Sequence, residues 1–297
     1  MALYAFDGTW NEQRDAGLYG LNTNVVRFRD AYRGGSAFYA KGVGTRLGWP
    51  GKLLGGAFGA GGKQRIAQAR AELAANYRAG DRHIDIIGFS RGAALALHFA
   101  NTLQRRGVRD PASGQLLAAH AEIRFLGLWD TVAAFGIPID LGIPFQRINL
   151  GYRLRVPANV RHCCHALALD EQRATFRPTR TPDGEQVWFR GMHTDVGGGN
   201  GNEGLNAISL RWMLRKALAC GLPIAPGADA EAGQRADAGA PIGRHRRAGR
   251  RHVRKPRPGE RVHYTVRARP QHVNPPPGHA VETEAGERVV AVRAGQS

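Results

Sequence analysis

The chain has 297 residues, of which 42% are hydrophobic and 22% are charged, and its formal net charge is +18. This composition excludes a wholly disordered or fibrous protein, and the length fits one large domain or one catalytic domain with an appendage. The three cysteines (Cys163, Cys164 and Cys220) are too few and too closely spaced for a disulfide framework. We therefore expect reduced thiols and a full hydrophobic core.

The first ten residues, MALYAFDGTW, lack the basic stretch and long apolar run of a secretory signal peptide. No uncharged apolar run approaches the ~20 residues of a transmembrane helix. These features predict a cytoplasmic protein or one that is exported without a signal peptide.

Strands and helices alternate along residues 1–224, which we interpret as the catalytic domain. In chain order, the pattern predicts a strand at 3–6, a helix at 24–33, a strand at 36–40, a helix at 63–78, a strand at 83–89, a helix at 91–106, strands at 122–129 and 187–190, and a helix at 205–219. This alternation is typical of an α/β fold with a mainly parallel sheet and helices on both faces.

From residue 225 onward Ala, Gly, Pro and Arg dominate, so we predict a loosely structured, partly disordered basic C-terminal extension at 225–297. Short edge strands are predicted at 261–268 and 287–293. Residues 244–269 contain eleven basic residues against one acid, Glu260, a net charge of +10. Such a segment attracts anionic surfaces or nucleic acid, although a solvated basic segment explains it equally well. Its one aromatic residue, Tyr264, provides little stacking, so no specific nucleic acid is expected.

Residues 88–92 read Gly-Phe-Ser-Arg-Gly and lie between a predicted strand and a predicted helix. This G-x-S-x-G pattern in this context is typical of a nucleophile elbow, which exposes a serine on a tight turn. Ser90 is then the nucleophile, and the backbone N–H of Arg91 is one oxyanion donor at the start of the helix. The alternative is an ordinary glycine-rich turn.

A nucleophilic serine needs a base and an acid that orients the base, in the chain order Ser, acid, His. Asp130 ends the predicted strand at 122–129, at the sheet edge where such folds place their active sites. Asp130 could also serve as a helix N-cap, and the two roles are compatible.

Of eleven histidines, three follow Asp130 and precede the extension: His162, His165 and His193. His193 opens a glycine-rich stretch directly after a predicted strand, where it can reach a neighbouring strand end. The surroundings of His165 resemble packed core. A metal site of His193 with Asp195 lacks further ligands, so we expect no metal and no cofactor.

Six segments carry a family resemblance: FDGTWN (6–11), KGVGT (41–45), GFSRGAA (88–94), LGLWDTVA (126–133), HALALDEQRATFRP (165–178) and WFRGMHTDVGGG (188–199). In this order they resemble the α/β-hydrolase domain of the type VI secretion lipase effectors of the Tle-one-like class. The resemblance implies an α/β-hydrolase fold and phospholipase activity on bacterial glycerophospholipids. It also implies a triad of Ser90, Asp130 and His193, the three residues chosen above.

The resemblance and the motifs together predict a serine esterase of lipase or phospholipase type. A second oxyanion donor is expected from the Asp7-Gly8-Thr9 loop, at Gly8 or Thr9, and Asp7 and Asp195 are expected to contact the substrate or support the triad. Two apolar stretches, 47–62 and 135–145, could form a lid for an acyl chain. A peptidase on the same scaffold also remains compatible with the triad.

The expected partners are a lipid or other ester substrate, a membrane surface contacted peripherally, and a secretion-machine or immunity protein. Export without a signal peptide by a type VI-like system is then an alternative to a cytoplasmic location. The alternative function is a nucleic-acid or anionic-surface binding protein that uses residues 244–269 and has a degenerate hydrolase core.

Overall fold

The computed structural model describes residues 1–8, 20–42, 56–133, 152–243, 252–268 and 280–282. The strands and helices in these ranges are β1 (Ala2–Phe6), α1 (Asn24–Ala31), β2 (Ser36–Ala40), α2 (Gly56–Arg78), β3 (Ile84–Phe89), α3 (Arg91–Arg106), β4 (Val108–Arg109), β5 (Leu116–Ala118), β6 (Ile123–Trp129), β7 (Val160–Ala168), β8 (Glu185–Phe189), α4 (His193–Gly197), α5 (Glu203–Ala219), α6 (Ala228–Arg235), β9 (Arg261–His263) and β10 (Ala280–Glu282). Short 3-10 turns occupy Ala174–Phe176 and Tyr264–Ala268.

Eight strands form one sheet in the order β10-β9-β8-β7-β6-β3-β1-β2, and each neighbouring pair is parallel. The pair β4 and β5 is antiparallel and separate. The carboxyl ends of the eight strands therefore share one edge. The predicted α/β fold with a mainly parallel sheet is confirmed.

Helices cover both faces of this sheet. Along β1, Tyr4 and Phe6 belong to a buried cluster with residues of α2 and α3, whereas Leu3 and Ala5 belong to a cluster with residues of α1 and α5. All six residues of β3 are buried. Burial on both faces explains why the strands read as continuous apolar runs rather than alternating ones.

Three elements differ from the sequence-based expectation. The strand β7 was not predicted, because its segment mixes Arg, His and Cys with apolar residues, yet it lies in the sheet between β6 and β8. The helix α2 begins at Gly56, seven residues earlier than predicted, so the end of the proposed lid stretch 47–62 is helical. His193 begins a short helix, α4, rather than a glycine-rich loop.

The described part of the basic extension is tied to the rest of the fold. The helix α6 packs against α5, and β9 pairs with β8 through Val187–Arg261 and Trp188–Val262. Residues 228–235 and 252–268 are therefore held by packing and backbone pairing, and the partly disordered extension at 225–297 stays a prediction. Within the predicted strand 261–268, only Arg261–His263 is extended. The second predicted edge strand, 287–293, lies outside the described residues, and the domain boundary at 224 stays a prediction.

Candidate active site

Ser90 occupies a strained turn between β3 and α3. Its backbone has φ 58° and ψ −124°, a region that non-glycine residues rarely adopt. The turn is held by neighbouring strand ends: the Ser90 N–H donates to the Trp129 carbonyl (3.0 Å), and the Ser90 carbonyl accepts from the Val132 N–H (3.2 Å). The strain is thus supported by two backbone hydrogen bonds to the segment that ends β6.

The two glycines of the G-x-S-x-G pattern are required by close backbone approach. A Cβ atom on Gly92 would lie 2.2 Å from the Phe6 carbonyl oxygen and 2.5 Å from that of Asp7. A Cβ atom on Gly88 would lie 2.7 Å from the Cα of Ala93. Glycine at these positions lets α3 begin directly against β1 and β3, which aims its N-terminus at Ser90.

His193 contacts both of the other predicted triad residues. Its Nε2 lies 2.8 Å from the Ser90 Oγ, and its Nδ1 lies 2.6 Å from the Asp130 Oδ2. Nearly all of the three side chains is buried, with exposed fractions of 6% for Ser90, 4% for His193 and 0% for Asp130. A linear chain of groups therefore runs from hydroxyl to imidazole to carboxylate at the carboxyl edge of the sheet.

The His193 ring is held from several sides. The rings of Phe89 and Phe176 pack on it at centroid distances of 4.6 and 4.9 Å. Its backbone N–H donates to the Glu171 Oε2 (3.3 Å). Burial lowers the pKa of His193 below its usual value; Asp130 and Glu171 oppose this shift, whereas Arg254 reinforces it. The imidazole is therefore neutral at ordinary pH, which is the form that can accept a proton.

Asp130 is a fully buried carboxylate with a complete set of donors. Its Oδ1 accepts from the Ala168 N–H (3.0 Å) and from the Arg254 Nη1 (2.6 Å), while its Oδ2 faces His193. Burial alone would raise the pKa of Asp130, but the Arg254 guanidinium, followed by His193, outweighs it and holds the pKa well below the usual range. The carboxylate is thus ionised and fixed in orientation.

The predicted oxyanion residues lie at two places: Arg91 begins α3, and Gly8 and Thr9 follow β1 in the chain. Arg91 is the first residue of α3, so its backbone N–H lies in the first turn beside Ser90, and burial lowers the pKa of its side chain to about 10. The Gly8 N–H donates to the Asp7 Oδ1 (2.7 Å). Thr9 lies outside the described residues. Gly8 can thus serve an oxyanion only if it exchanges or shares this hydrogen bond.

Asp7 and Asp195 are buried and hydrogen-bonded within the protein. The Asp7 Oδ2 accepts from the hydroxyls of Thr23 (2.8 Å) and Tyr39 (2.7 Å). The Asp195 Oδ2 accepts from the Met192 N–H (2.8 Å) at the start of α4. Asp195 therefore fixes the helix that carries His193.

His165, the competing histidine, lies in β7 and is fully buried, as its surroundings indicated. Its Nε2 accepts from the Thr131 N–H (3.1 Å), and its Nδ1 lies 3.0 Å from the Thr181 hydroxyl. Burial lowers the pKa of His165 to about 3. This side chain holds the residue after Asp130 in place and does not contact Ser90.

Residues that the sequence interpretation missed surround the acid and the base: Glu171, Phe176 and Arg254. Glu171 and Phe176 lie in the segment 165–178, which is one of the six motifs that carry the family resemblance, and the length of this motif could have pointed to them. Arg254 had no signal, because it is one of eleven basic residues between 244 and 269.

Residues 43–55 and 134–151, which contain most of the two proposed lid stretches, lie outside the described residues. Within the described ranges, no three His, Cys, Asp or Glu side chains are grouped to hold a metal ion. None of the described helices has both the length and the apolar character that crossing a bilayer requires.

Parts of this chain are similar to known proteins. An uncharacterized protein from Pseudomonas aeruginosa is 21% identical with a TM-score of 0.49, and the alignment covers 81% of this chain and 51% of that one. The Tle1 effector bound to the VgrG spike of the type 6 secretion system is 22% identical with a TM-score of 0.46, covering 66% and 50%. The chain thus spans about half the length of these two proteins. A 57-residue stretch is 44% identical to the uncharacterized protein YEL023C of Saccharomyces cerevisiae, covering 18% of this chain and 8% of that protein.

A family model described as "T6SS, Phospholipase effector Tle1-like, catalytic domain" matches residues 3–119 and 111–216. These residues amount to well over half of the chain and include Ser90, Asp130 and His193. The resemblance drawn from the six sequence motifs is thereby confirmed. The chain belongs to the family of Tle1-like catalytic domains of type VI secretion phospholipase effectors.

Proposed function

We propose that this chain is a serine hydrolase that cleaves carboxylic esters of lipids, with glycerophospholipids as the main substrate class. The observation that carries the proposal is the position of His193, 2.8 Å from the Ser90 Oγ and 2.6 Å from the Asp130 Oδ2. Membership of a phospholipase effector family supports the choice of a lipid ester over a peptide.

The reaction follows from this geometry. The Ser90 Oγ attacks the ester carbonyl while the His193 Nε2 takes its proton, and Asp130 stabilises the resulting imidazolium through Nδ1. Collapse of the tetrahedral intermediate passes the proton to the leaving alcohol and leaves an acyl group on Ser90. A water molecule, deprotonated in turn by His193, then releases the fatty acid and regenerates the serine.

The oxyanion is expected at the N-terminus of α3. The Arg91 N–H and the positive end of the helix dipole lie beside Ser90 there. The second donor is proposed to come from the loop after β1, where Thr9 or a rearranged Gly8 would serve. Removal of one oxyanion donor costs about 10²–10³-fold in kcat in other serine hydrolases.

Membership of the family supports a proposal on partners and location. We propose a lipid bilayer as the surface on which the enzyme acts and a type VI secretion component as its carrier, with export that uses no signal peptide. The burial of Arg254 against Asp130 weakens the alternative of an anionic-surface binding protein, because part of the basic segment neutralises an internal carboxylate.

A fluorophosphonate probe tests the nucleophile. The wild type should be labelled and Ser90→Ala should not, with kcat on a soluble ester lower by about 10⁶-fold. Ser113→Ala, in the turn between β4 and β5, is the matched control and should be labelled like the wild type. Labelling of Ser90→Ala, or none of the wild type, rejects the serine hydrolase.

Phospholipid vesicles test the substrate class separately. The wild type should release free fatty acid from phosphatidylglycerol and phosphatidylethanolamine vesicles, and Ser90→Ala should not. Hydrolysis of a soluble p-nitrophenyl ester without any release from vesicles would retain the hydrolase and reject the lipid substrate.

A further inference from the structure

Arg254 brings a charge from the C-terminal segment into the centre of the site. It lies beyond residue 216, where the family match ends. Its side chain is 1% exposed, and its Nη1 lies 2.6 Å from the Asp130 Oδ1 and 2.7 Å from the Ala168 carbonyl oxygen. Its Nη2 donates to the carbonyl of Phe176. One guanidinium thus connects the ends of β6 and β7 with the turn at Ala174–Phe176.

These contacts divide the two oxygens of the Asp130 carboxylate between different tasks. Oδ1 is held by Arg254 and the Ala168 N–H, and Oδ2 is left facing the His193 Nδ1. A carboxylate held by fixed donors cannot rotate freely, and the planar guanidinium fixes its partners more tightly than a single ammonium does. Arg254 also holds the carbonyl of Phe176, whose ring packs on His193.

The segment that carries Arg254 is anchored on both sides. Before it, the His252 N–H donates to the Gln172 carbonyl (2.8 Å). After it, Glu260 accepts from the Arg257 N–H (2.7 Å) and the Trp188 Nε1 (2.9 Å), which ties the segment to β8. The position of Arg254 is therefore set by the fold rather than by its own ion pair alone.

We propose that Arg254 is a positioning residue of the active centre, which aims the Asp130 carboxylate at His193. The proposal rests on the proposed function. It makes residues 252–260, which the sequence analysis placed in a loose extension, a required part of the catalytic unit.

The charges around His193 give the proposal a pH signature. The Asp130 carboxylate contacts the imidazole, whereas the Glu171 carboxylate, which is paired with Arg173 (2.8 Å), accepts from the His193 backbone N–H. Arg254 lies on the other side of Asp130. His165, on β7, has a pKa of about 3 and carries no charge at working pH. Loss of the Arg254 charge leaves the carboxylates less compensated, so the pKa of His193 rises.

The test compares Arg254→Gln, Arg254→Lys and Arg257→Gln in the full chain with a soluble p-nitrophenyl ester. Arg257 is exposed in the same segment, so Arg257→Gln removes the same charge without touching Asp130. We expect Arg254→Gln to lower kcat by about 10²-fold with KM little changed. Its acidic limb of kcat/KM should move to higher pH by about one unit.

Arg254→Lys retains the positive charge but loses the planar guanidinium that donates through both Nη1 and Nη2. It should keep the acidic limb near that of the wild type while kcat falls by about tenfold. Arg257→Gln should match the wild type in kcat and in pH profile. The low-field proton resonance of the His193 Nδ1–H should weaken in Arg254→Gln and persist in Arg257→Gln.

An unmoved limb in Arg254→Gln, or equal losses in Arg254→Gln and Arg257→Gln, would overturn the proposal. If Arg254→Gln does not fold, as judged by circular dichroism, Arg254→Lys decides: a wild-type kcat rejects positioning, and a lowered kcat with an unmoved limb supports it. Probe labelling of the wild type but not of Ser90→Ala would retain the serine hydrolase of the proposed function even if Arg254 fails.

Discussion

The strand that precedes Ser90, β3, lies between β6 and β1, and each of these neighbours is followed by a buried aspartate. Asp130 follows β6 and is held by a guanidinium, an imidazole and a backbone N–H. Asp7 follows β1 and accepts from two hydroxyls and a backbone N–H. The two residues share type, burial and position at the sheet edge, but differ in the charge of their partners.

This difference separates their acidities. Burial raises the pKa of Asp7 to about 6, because its neutral donors offset only part of the lost hydration. The pKa of Asp130 instead lies below the usual range, since the Arg254 charge and the His193 hydrogen bond outweigh burial. A carboxylate that orients a catalytic histidine must stay ionised while the base is neutral. Of these two buried acids, the one beside the imidazole is paired with a guanidinium, and this pairing favours its ionised form.

The largest expected effect comes from replacing each of the two aspartates by asparagine, which removes the carboxylate charge and tests whether the two acids differ in role. We expect Asp130→Asn to lower kcat by about 10⁴-fold, because the amide would stabilise the wrong tautomer of His193. Asp7→Asn should lower kcat by less than about tenfold, since Asp7 does not contact the imidazole. Both are measured on a soluble ester at pH 8. If Asp7→Asn were the more damaging change, the orienting acid would be misassigned.

The dependence of stability on pH sharpens the comparison. The folded-state pKa of Asp7 is raised from 3.8 to about 6, so its contribution to the free energy of unfolding is present below pH 4 and lost as the pH rises through 6. The loss is on the order of 3 kcal/mol. Asp130 has a lowered pKa, so its contribution is present above pH 4 and lost below it.

Urea unfolding of Asp7→Asn and of the wild type between pH 4 and pH 7.5 measures this difference. The variant should gain stability relative to the wild type as the pH rises, and the gain should be centred between pH 4 and 6. If the difference in free energy of unfolding between the two proteins did not change with pH, burial would not raise the pKa of Asp7.

Local patterns were sufficient for much of this architecture. The G-x-S-x-G segment between an apolar strand and a helix predicted the turn at Ser90, and the structure shows why Gly92 is needed against the backbone of Phe6. Asp130 and His193 were chosen because they follow strands, and parallel strands bring their carboxyl ends to one edge. The structure brings both side chains within hydrogen-bond distance of one another; their catalytic roles stay predictions.

Other features depend on contacts that no local pattern encodes. Arg254 is separated from Asp130 by 124 positions in the chain. Its neighbours at 253 and 255 are exposed, so the alternation of burial is visible only in the folded chain. The strand β7 was missed because its buried His165 and two cysteines do not resemble the Val and Ile of a typical parallel strand. Long-range pairing, rather than propensity, determines both features.

The smallest effect concerns the loss of one tyrosine hydroxyl that donates to a buried aspartate, at each of two aspartates. Tyr39→Phe removes a donor from Asp7, whose hydrogen-bond donors are all neutral. Tyr32→Phe removes a donor from Asp85. Asp85 retains its ion pair with Arg124, in which the Nη2 and Oδ2 atoms are 2.5 Å apart. We expect Tyr39→Phe to lower the free energy of unfolding by about 2 kcal/mol at pH 8, where Asp7 is ionised, and by about 1 kcal/mol at pH 4.5. Tyr32→Phe should cost less than Tyr39→Phe at pH 8, because the guanidinium still compensates Asp85. Urea midpoints at the two pH values measure the cost of each substitution. Equal costs at pH 8 would contradict the prediction, because they would mean that the Arg124 guanidinium does not make Asp85 less dependent on its tyrosine donor.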